Sequence, residues 1–231
     1  MRGLTVETKE LRFEASKSSG EVSAILIRPT QARWLLVLGH GAGAGMRHAF
    51  MENISQHLAA NGIATFRYQF PYMEQGKKAP NPPPILMKTI RSAVATAAEI
   101  AGDLPILAGG KSLGGRMTSN AAASEAIPDV KGIVFFGFPL HAPGKPSSER
   151  GNHLFEVTVP MLFLQGTRDK LADLDYLKPL CDKLDMQAKL HIVEGADHSF
   201  RLPKKLNRTE DDVFAELAET VLHWAAKLGR I

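Results

Sequence analysis

Three residues of this sequence carry side chains that could together cleave an acyl bond. They are Ser112, Asp169 and His198, in that order along the chain, and residues 110–114 around the serine read Gly-Lys-Ser-Leu-Gly. A serine hydroxyl is a weak nucleophile until a base takes its proton, and a neutral histidine held by a buried carboxylate can act as that base. The pattern therefore indicates Ser112 as the nucleophile, His198 as the base and Asp169 as the acid that orients the base.

Each of the three residues follows a segment with the character of a buried strand. Apolar runs over residues 104–109, 160–165 and 188–193 lead into the segments that contain Ser112, Asp169 and His198, respectively. A helix is predicted over residues 115–126, directly after the serine turn. Because functional groups gather beyond the carboxyl ends of parallel strands, we expect the three side chains to meet at one edge of a sheet.

Each residue also has a simpler interpretation when it is taken alone. A glycine-bracketed turn is a common pattern, an aspartate in the position of Asp169 could cap the following helix, and His198 could be a surface loop residue. Asp173 and Asp175 lie close to Asp169 in the sequence and could replace it. The agreement of the three residues in chain order favours the catalytic interpretation.

The remainder of the chain alternates strand patterns with helical patterns. Alternating runs at 11–15 and 22–27, on either side of a Ser-Ser-Gly sequence, predict an antiparallel hairpin. Further strands are predicted at 34–38, 63–68 and 130–138, helices at 48–60, 85–101, 173–184 and 210–228, and irregular loops at 71–84 and 140–159. This order predicts an α/β fold: a mostly parallel sheet flanked by helices, without a large lid, in a single domain over residues 1–231.

Composition narrows the classes of partner. The 231 residues are 44% hydrophobic, but no apolar run reaches the length of about 18 residues that marks a membrane span, and the N-terminal residues lack the apolar core of a secretory signal. The single cysteine, Cys181, excludes an internal disulfide and favours a cytoplasmic location. A net charge of +4, with basic residues concentrated at 201–208, comes without any nucleic-acid-binding signature. We therefore expect neither a nucleic-acid nor a membrane partner.

Residues 110–114, together with Gly-Thr-Arg-Asp at 166–169 and Asp-His-Ser-Phe at 197–200, resemble the motifs of the α/β-hydrolases, in the compact branch that includes dienelactone hydrolase. The resemblance spans nearly the whole chain. Dienelactone hydrolases proper carry cysteine where this chain has Ser112, so the resemblance implies the fold but not the dienelactone substrate. It also implies an oxyanion hole formed by the backbone N–H groups of Ala42 and Leu113.

Residues 40–46 and 141–153 also resemble a small group of predicted hydrolases that includes the hydrolase-like domain of a chromatin-acetyltransferase complex subunit. Four side chains are candidates for substrate binding: His40, Tyr72, Lys145 and Arg150. His40 has an alternative interpretation as a structural support of its loop, and Lys145 and Arg150 as solvated loop charges. Tyr68, Phe70 and Met73 are candidates for the wall of an acyl pocket, with a core role equally open for Tyr68 and Phe70.

These observations predict a serine hydrolase that cleaves a carboxylic ester or thioester through an acyl-enzyme on Ser112. No metal or organic cofactor is needed for this chemistry, and the expected partner is a small-molecule ester or acyl compound, with a homodimer left open. The alternatives are an acyl-peptidase on the same fold and a hydrolase-like interaction module that has lost turnover. A perhydrolase side activity is a third alternative, by family analogy only.

Overall fold

The computed structural model of the chain describes residues 5–228, which contain one eight-stranded sheet. The strands are β1 (Val6–Ser16), β2 (Gly20–Pro29), β3 (Trp34–Gly39), β4 (Ile63–Tyr68), β5 (Ile106–Lys111), β6 (Val130–Phe136), β7 (Met161–Gly166) and β8 (Ala188–Val193). They lie in the order β1-β2-β4-β3-β5-β6-β7-β8. Strand β2 is antiparallel to β1 and β4, and all the other pairings are parallel. The predicted mostly parallel sheet with an initial antiparallel hairpin is confirmed.

Helices cover both faces of this sheet. They are α1 (Ala49–Ala60), α2 (Pro71–Glu74), α3 (Pro83–Ala101), α4 (Leu113–Ser124), α5 (Leu174–Leu184) and α6 (Glu210–Leu228), with 3₁₀ segments at Glu149–Glu156 and Asp185–Gln187. Helices α1 and α6 pack on one face, and α3, α4 and α5 pack on the other. Strands β3, β4, β5 and β7 are buried along their whole length, as their continuous apolar runs predict for a sheet covered on both sides.

Two helices begin earlier than the sequence predicts, and both differences affect the loops around the sheet. The predicted loop at 71–84 contains the short helix α2 and the start of α3, because proline is well suited to the first turn of a helix and occupies it in both cases. Helix α4 begins at Leu113, directly after Ser112, with two glycines in its first turn. The helix N-terminus is therefore immediately beside the serine.

Two further features concern the helices and the single cysteine. Within residues 5–228, no helix combines the length and apolar character needed to cross a bilayer. Cys181 is buried in α5, and burial raises the pKa of its thiol to about 12, so the thiol is a packed side chain rather than a reactive nucleophile.

Candidate active site

The turn between β5 and α4 holds Ser112 in a strained backbone conformation. Its φ of 51° and ψ of −111° lie in a region that residues with a side chain rarely occupy. A β-carbon on Gly110 or Gly114 would collide with the Gly39 carbonyl of the adjacent strand, so only glycine fits on either side of the turn. The Ser112 N–H donates to the Phe136 carbonyl at 3.1 Å and fixes the turn to β6.

The structure brings Ser112, His198 and Asp169 into one hydrogen-bonded chain. The Nε2 atom of His198 lies 2.9 Å from Ser112 Oγ, and its Nδ1 atom lies 2.7 Å from Asp169 Oδ2. The Asp169 carboxylate is buried, whereas the imidazole is about one-quarter exposed. With Nδ1 protonated toward the carboxylate, Nε2 is free to accept the serine proton.

Asp169 is held by two further donors, and the neighbouring aspartates have other partners. Its Oδ1 atom accepts the Leu171 N–H at 2.8 Å, and its Oδ2 atom accepts the side-chain amide of Gln165. Asp173 instead caps α5 by accepting the N–H of Asp175, and Asp175 is exposed in the first turn of that helix. Of the three aspartates, only Asp169 contacts the imidazole.

The loop after β3 passes directly over the serine. A β-carbon on Gly41 would lie 3.8 Å from Ser112 Cβ, so the backbone at Ala42 is close to the nucleophile. Leu113 is the first residue of α4, and its N–H therefore has no carbonyl partner within the helix. Both predicted oxyanion donors, Ala42 and Leu113, thus lie beside Ser112.

His40 and Tyr72 do not contact the substrate space, which corrects the prediction that they bind substrate. Both are fully buried. The His40 ring accepts the Phe70 N–H at 3.1 Å and contacts the Gly41 carbonyl at 2.8 Å, and burial lowers the pKa of His40 to about 4. The Tyr72 hydroxyl accepts the Gly43 N–H at 3.2 Å. Both side chains therefore support the loop after β3. For His40 this is the alternative role predicted from the sequence.

Lys145 and Arg150 are both exposed, and neither lines the cavity beside Ser112. Arg150 lies in the 3₁₀ segment Glu149–Glu156, which packs along α4. Tyr68 and Phe70 are buried core residues, so of the two interpretations the core role is the one observed.

A cavity of about 410 Å³ opens beside Ser112 and His198. Phe50, Phe200 and Phe214 form an aromatic wall, with ring centroids of Phe50 at 5.8 Å from Phe200 and 5.4 Å from Phe214. Arg201 and Glu210 add charged groups to the lining. The cavity therefore combines an apolar wall with a few polar groups, as small-molecule sites commonly do.

Sequence reasoning missed two polar residues that contact the site. Lys111 is buried and donates from Nζ to the His198 carbonyl at 2.6 Å, and Gln165 is buried against Asp169. Each is a lone polar residue near the end of an otherwise apolar strand, and that position was the available signal.

A second serine–histidine contact lies outside this site. Ser119 Oγ lies 2.8 Å from His153 Nε2, but Ser119 is buried within α4 and donates to the Arg116 carbonyl. Among the described residues no carboxylate is hydrogen-bonded to His153, and burial lowers the pKa of His153 to about 4. This pair fastens the 3₁₀ segment to α4 and lacks the parts of a nucleophilic centre.

Comparison with known proteins agrees with this fold. The family model for the alpha/beta hydrolase domain matches residues 32–226. The chain therefore belongs to the α/β-hydrolase family, and its class is that of a hydrolase enzyme, which confirms the predicted resemblance to the α/β-hydrolases.

Solved structures with the same fold include hydrolases of low sequence identity. A dienelactone hydrolase from Anabaena variabilis is 18% identical, with a TM-score of 0.72 over 95% of this chain and 98% of that chain. An esterase domain from Rhodothermus marinus is 18% identical, with a TM-score of 0.70 over 96% and 98%. A serine hydrolase without a lid from Xanthomonas campestris is 16% identical, with a TM-score of 0.72 over 94% and 95%. At these identities the likeness shows the shared fold.

Proposed function

We propose that this chain is a serine hydrolase that cleaves a carboxylic ester or thioester through an acyl-enzyme on Ser112. The observation that carries the proposal is the hydrogen-bonded chain from Ser112 Oγ through the His198 imidazole to the buried Asp169 carboxylate. Its two distances, 2.9 and 2.7 Å, are within the range for proton transfer between positioned groups.

In the acylation step, Ser112 Oγ attacks the carbonyl carbon of the substrate while His198 Nε2 takes the hydroxyl proton. The imidazolium that forms is stabilised by Asp169. The carbonyl oxygen becomes an oxyanion, which the N–H groups of Ala42 and Leu113 are placed to stabilise, and the N-terminal end of α4 adds its dipole. The tetrahedral intermediate then expels the alcohol or thiol, which receives its proton from His198.

In the deacylation step, water replaces the alcohol. His198, again neutral, takes a proton from water as the hydroxide oxygen attacks the acyl carbon. Collapse of the second tetrahedral intermediate breaks the bond to Ser112 Oγ, returns the proton from His198 to the serine and releases a carboxylic acid. The proposed reaction uses a small-molecule ester or acyl compound as its substrate. A cytoplasmic location is also part of the proposal.

The cavity favours a compact apolar group on the substrate. The rings of Phe50, Phe200 and Phe214 offer dispersion contacts and release of ordered water to an acyl or alcohol group of medium size. Arg201 and Glu210 also line the cavity, and their charged side chains are suited to contact a polar end of that acyl or alcohol group. Esters with short to medium chains are therefore the first substrates to test.

Labelling by a fluorophosphonate probe, read by intact mass, tests the proposal. The probe forms a bond between its phosphorus and an activated serine oxygen and releases fluoride. We expect a single adduct on the wild-type protein, none on Ser112→Ala, and labelling slowed at least about a hundredfold in His198→Ala, because the general base is missing. Hydrolysis of p-nitrophenyl esters and acyl thioesters of increasing chain length would then identify the preferred substrate.

The second serine–histidine pair supplies matched controls. Ser119→Ala and His153→Gln should label at the wild-type rate, because neither residue contacts Ser112 or His198. Absence of an adduct on folded wild-type protein would contradict the hydrolase proposal and favour the interaction-module alternative. Cleavage of acylated peptides in preference to simple esters would instead favour the acyl-peptidase.

A further inference from the structure

Lys111 joins the nucleophile's strand to the loop that carries the base. It is the last residue of β5 and the chain neighbour of Ser112, yet only 8% of its surface is exposed. Its side chain crosses to the loop after β8, where Nζ donates to the backbone carbonyl of His198 at 2.6 Å. This bond is short, as expected when the donor is charged.

The surroundings of the ammonium group are mostly apolar. Nζ lies 5.6 Å from the ring centroid of Phe50 and 5.7 Å from that of Phe200, within the range of cation–π attraction. Burial lowers the pKa of Lys111 to about 8, an effect only partly offset by the negative charges of Asp169 and Asp197. A charge in this position costs free energy of folding, and an apolar side chain of similar size would avoid that cost.

The ammonium group also faces the base and its acid. A β-carbon on Gly137 would lie 3.1 Å from Lys111 Nζ, 3.4 Å from His198 Nδ1 and 3.5 Å from Asp169 Oδ2. All three atoms therefore surround one small space, which glycine leaves open with a φ of +72°. The titratable groups that face Lys111 here are His198, Asp169 and Asp197.

We propose that Lys111 is a positioning residue that holds His198 at hydrogen-bonding distance from Ser112. One end of the lysine is bonded to the nucleophile's backbone, and the other end holds the backbone of the base, so the distance between the two residues is fixed from both sides. A misplacement of about 1 Å between reacting groups can cost about a hundredfold in rate. The inference rests on the proposed serine hydrolase function.

Lys111→Met tests this role because it removes the donor but keeps an apolar stem of similar length. Methionine can pack under Phe50 and Phe200, so we expect the variant to unfold at an equal or higher urea concentration than wild type. We expect its kcat and its rate of fluorophosphonate labelling to fall by about tenfold to a hundredfold, with KM changed less than about threefold. Activity should therefore fall without any loss of stability, which a merely structural role does not produce.

Two further variants separate the effect of the lost hydrogen-bond donor from the general effect of replacing a lysine by methionine. Lys111→Gln keeps a neutral N–H donor one bond nearer the backbone and should recover part of the lost rate. Lys131→Met, at an exposed lysine of the neighbouring strand β6, should match wild type in rate and stability. A labelling rate for Lys111→Met within twofold of wild type would overturn the proposal. So would a rate loss that follows the fraction of unfolded protein and is not recovered in Lys111→Gln.

Backbone amide exchange tests, without requiring activity, whether Lys111 tethers the loop that carries His198 through the hydrogen bond to the His198 carbonyl. The Phe200 N–H donates to the Asp197 carbonyl, and the Asp197 N–H donates to the Arg201 carbonyl, within the loop that Lys111 holds. We expect both amides to exchange about tenfold faster in Lys111→Met, as loss of a charged hydrogen bond predicts. If wild type is not labelled but this exchange increases, the hydrolase function fails while the tether stands. Unchanged exchange would contradict the tether itself.

Discussion

Gln165 and His198 meet on a single oxygen atom, Oδ2 of Asp169. Gln165 donates to it from Nε2, and His198 contacts it from Nδ1 at 2.7 Å. The other end of the glutamine amide accepts the Phe138 N–H at 3.0 Å. A neutral side chain at the end of β7 thereby fixes the rotamer of the acid and, through it, the orientation of the imidazole.

Replacing Gln165 by methionine should lower kcat by about tenfold with little change in KM, because Asp169 would keep its charge but lose one of its three donors. The variant should also lose about 1–3 kcal/mol of unfolding free energy, since the buried Phe138 N–H would have no acceptor. Steady-state kinetics and urea unfolding measure the two effects. Gln187→Met is the exposed control, and an unchanged kcat in folded Gln165→Met would contradict this role for Gln165.

Tyr72→Phe should weaken oxyanion stabilisation without removing a residue from the cavity. Its hydroxyl accepts the Gly43 N–H, next to Ala42 in the loop over the serine, and burial raises the pKa of Tyr72, so it remains a neutral phenol. Loss of a hydrogen bond worth about 1 kcal/mol predicts about a fivefold fall in kcat. Kinetics on the same ester would measure this fall. Tyr176→Phe, at an exposed tyrosine of α5, should leave kcat unchanged, and an equal effect in both variants would refute the prediction.

His40 should make the protein sensitive to acid. Burial lowers its pKa from 6.5 to about 4 in the folded state. Above pH 6.5 the ring is neutral in both states, and its contribution to stability is fully present. As the pH falls from 6.5 to about 4, the unfolded chain takes up the proton first, so up to about 3 kcal/mol of unfolding free energy is lost.

Urea unfolding at a series of pH values would measure this loss. His40→Gln, whose amide can both donate and accept, should flatten the dependence between pH 6.5 and 4, with the remainder due in part to His153, whose pKa burial also lowers. His223→Gln, at an exposed position of α6, should keep the wild-type slope. Identical slopes in wild type and His40→Gln would show that His40 is not responsible.

The sequence is most informative where chain order and sheet geometry act together. Ser112, Asp169 and His198 each follow a parallel strand, so the common edge at which such strands end brings them together regardless of side-chain packing. The sequence alone could not decide which of Asp169, Asp173 and Asp175 contacts His198, because all three are compatible with the start of α5. The hydrogen bonds of Asp169 resolve that choice.

The residues that support the site, Tyr72, Lys111 and Gln165, could not be predicted from the sequence for a different reason. Tyr72 was expected in the substrate space, but the direction of its side chain depends on the short helix α2, which turns it under the loop after β3. Lys111 and Gln165 occupy strand positions whose neighbours belong to distant segments of chain. Periodicity tells which face of a strand a residue occupies, but it does not tell which loop lies over it.

The cavity has a consequence for the chain during its own synthesis. Its walls are drawn from segments as far apart as Gly41 and Phe214, and the base itself follows the last strand. A nascent chain that has already folded β1 to β7 around Ser112 still has neither base nor closed pocket. Under the proposed function, hydrolytic activity is therefore expected only after His198 has been synthesised, and the cavity gains its last wall only when α6 docks and places Phe214 beside Phe50.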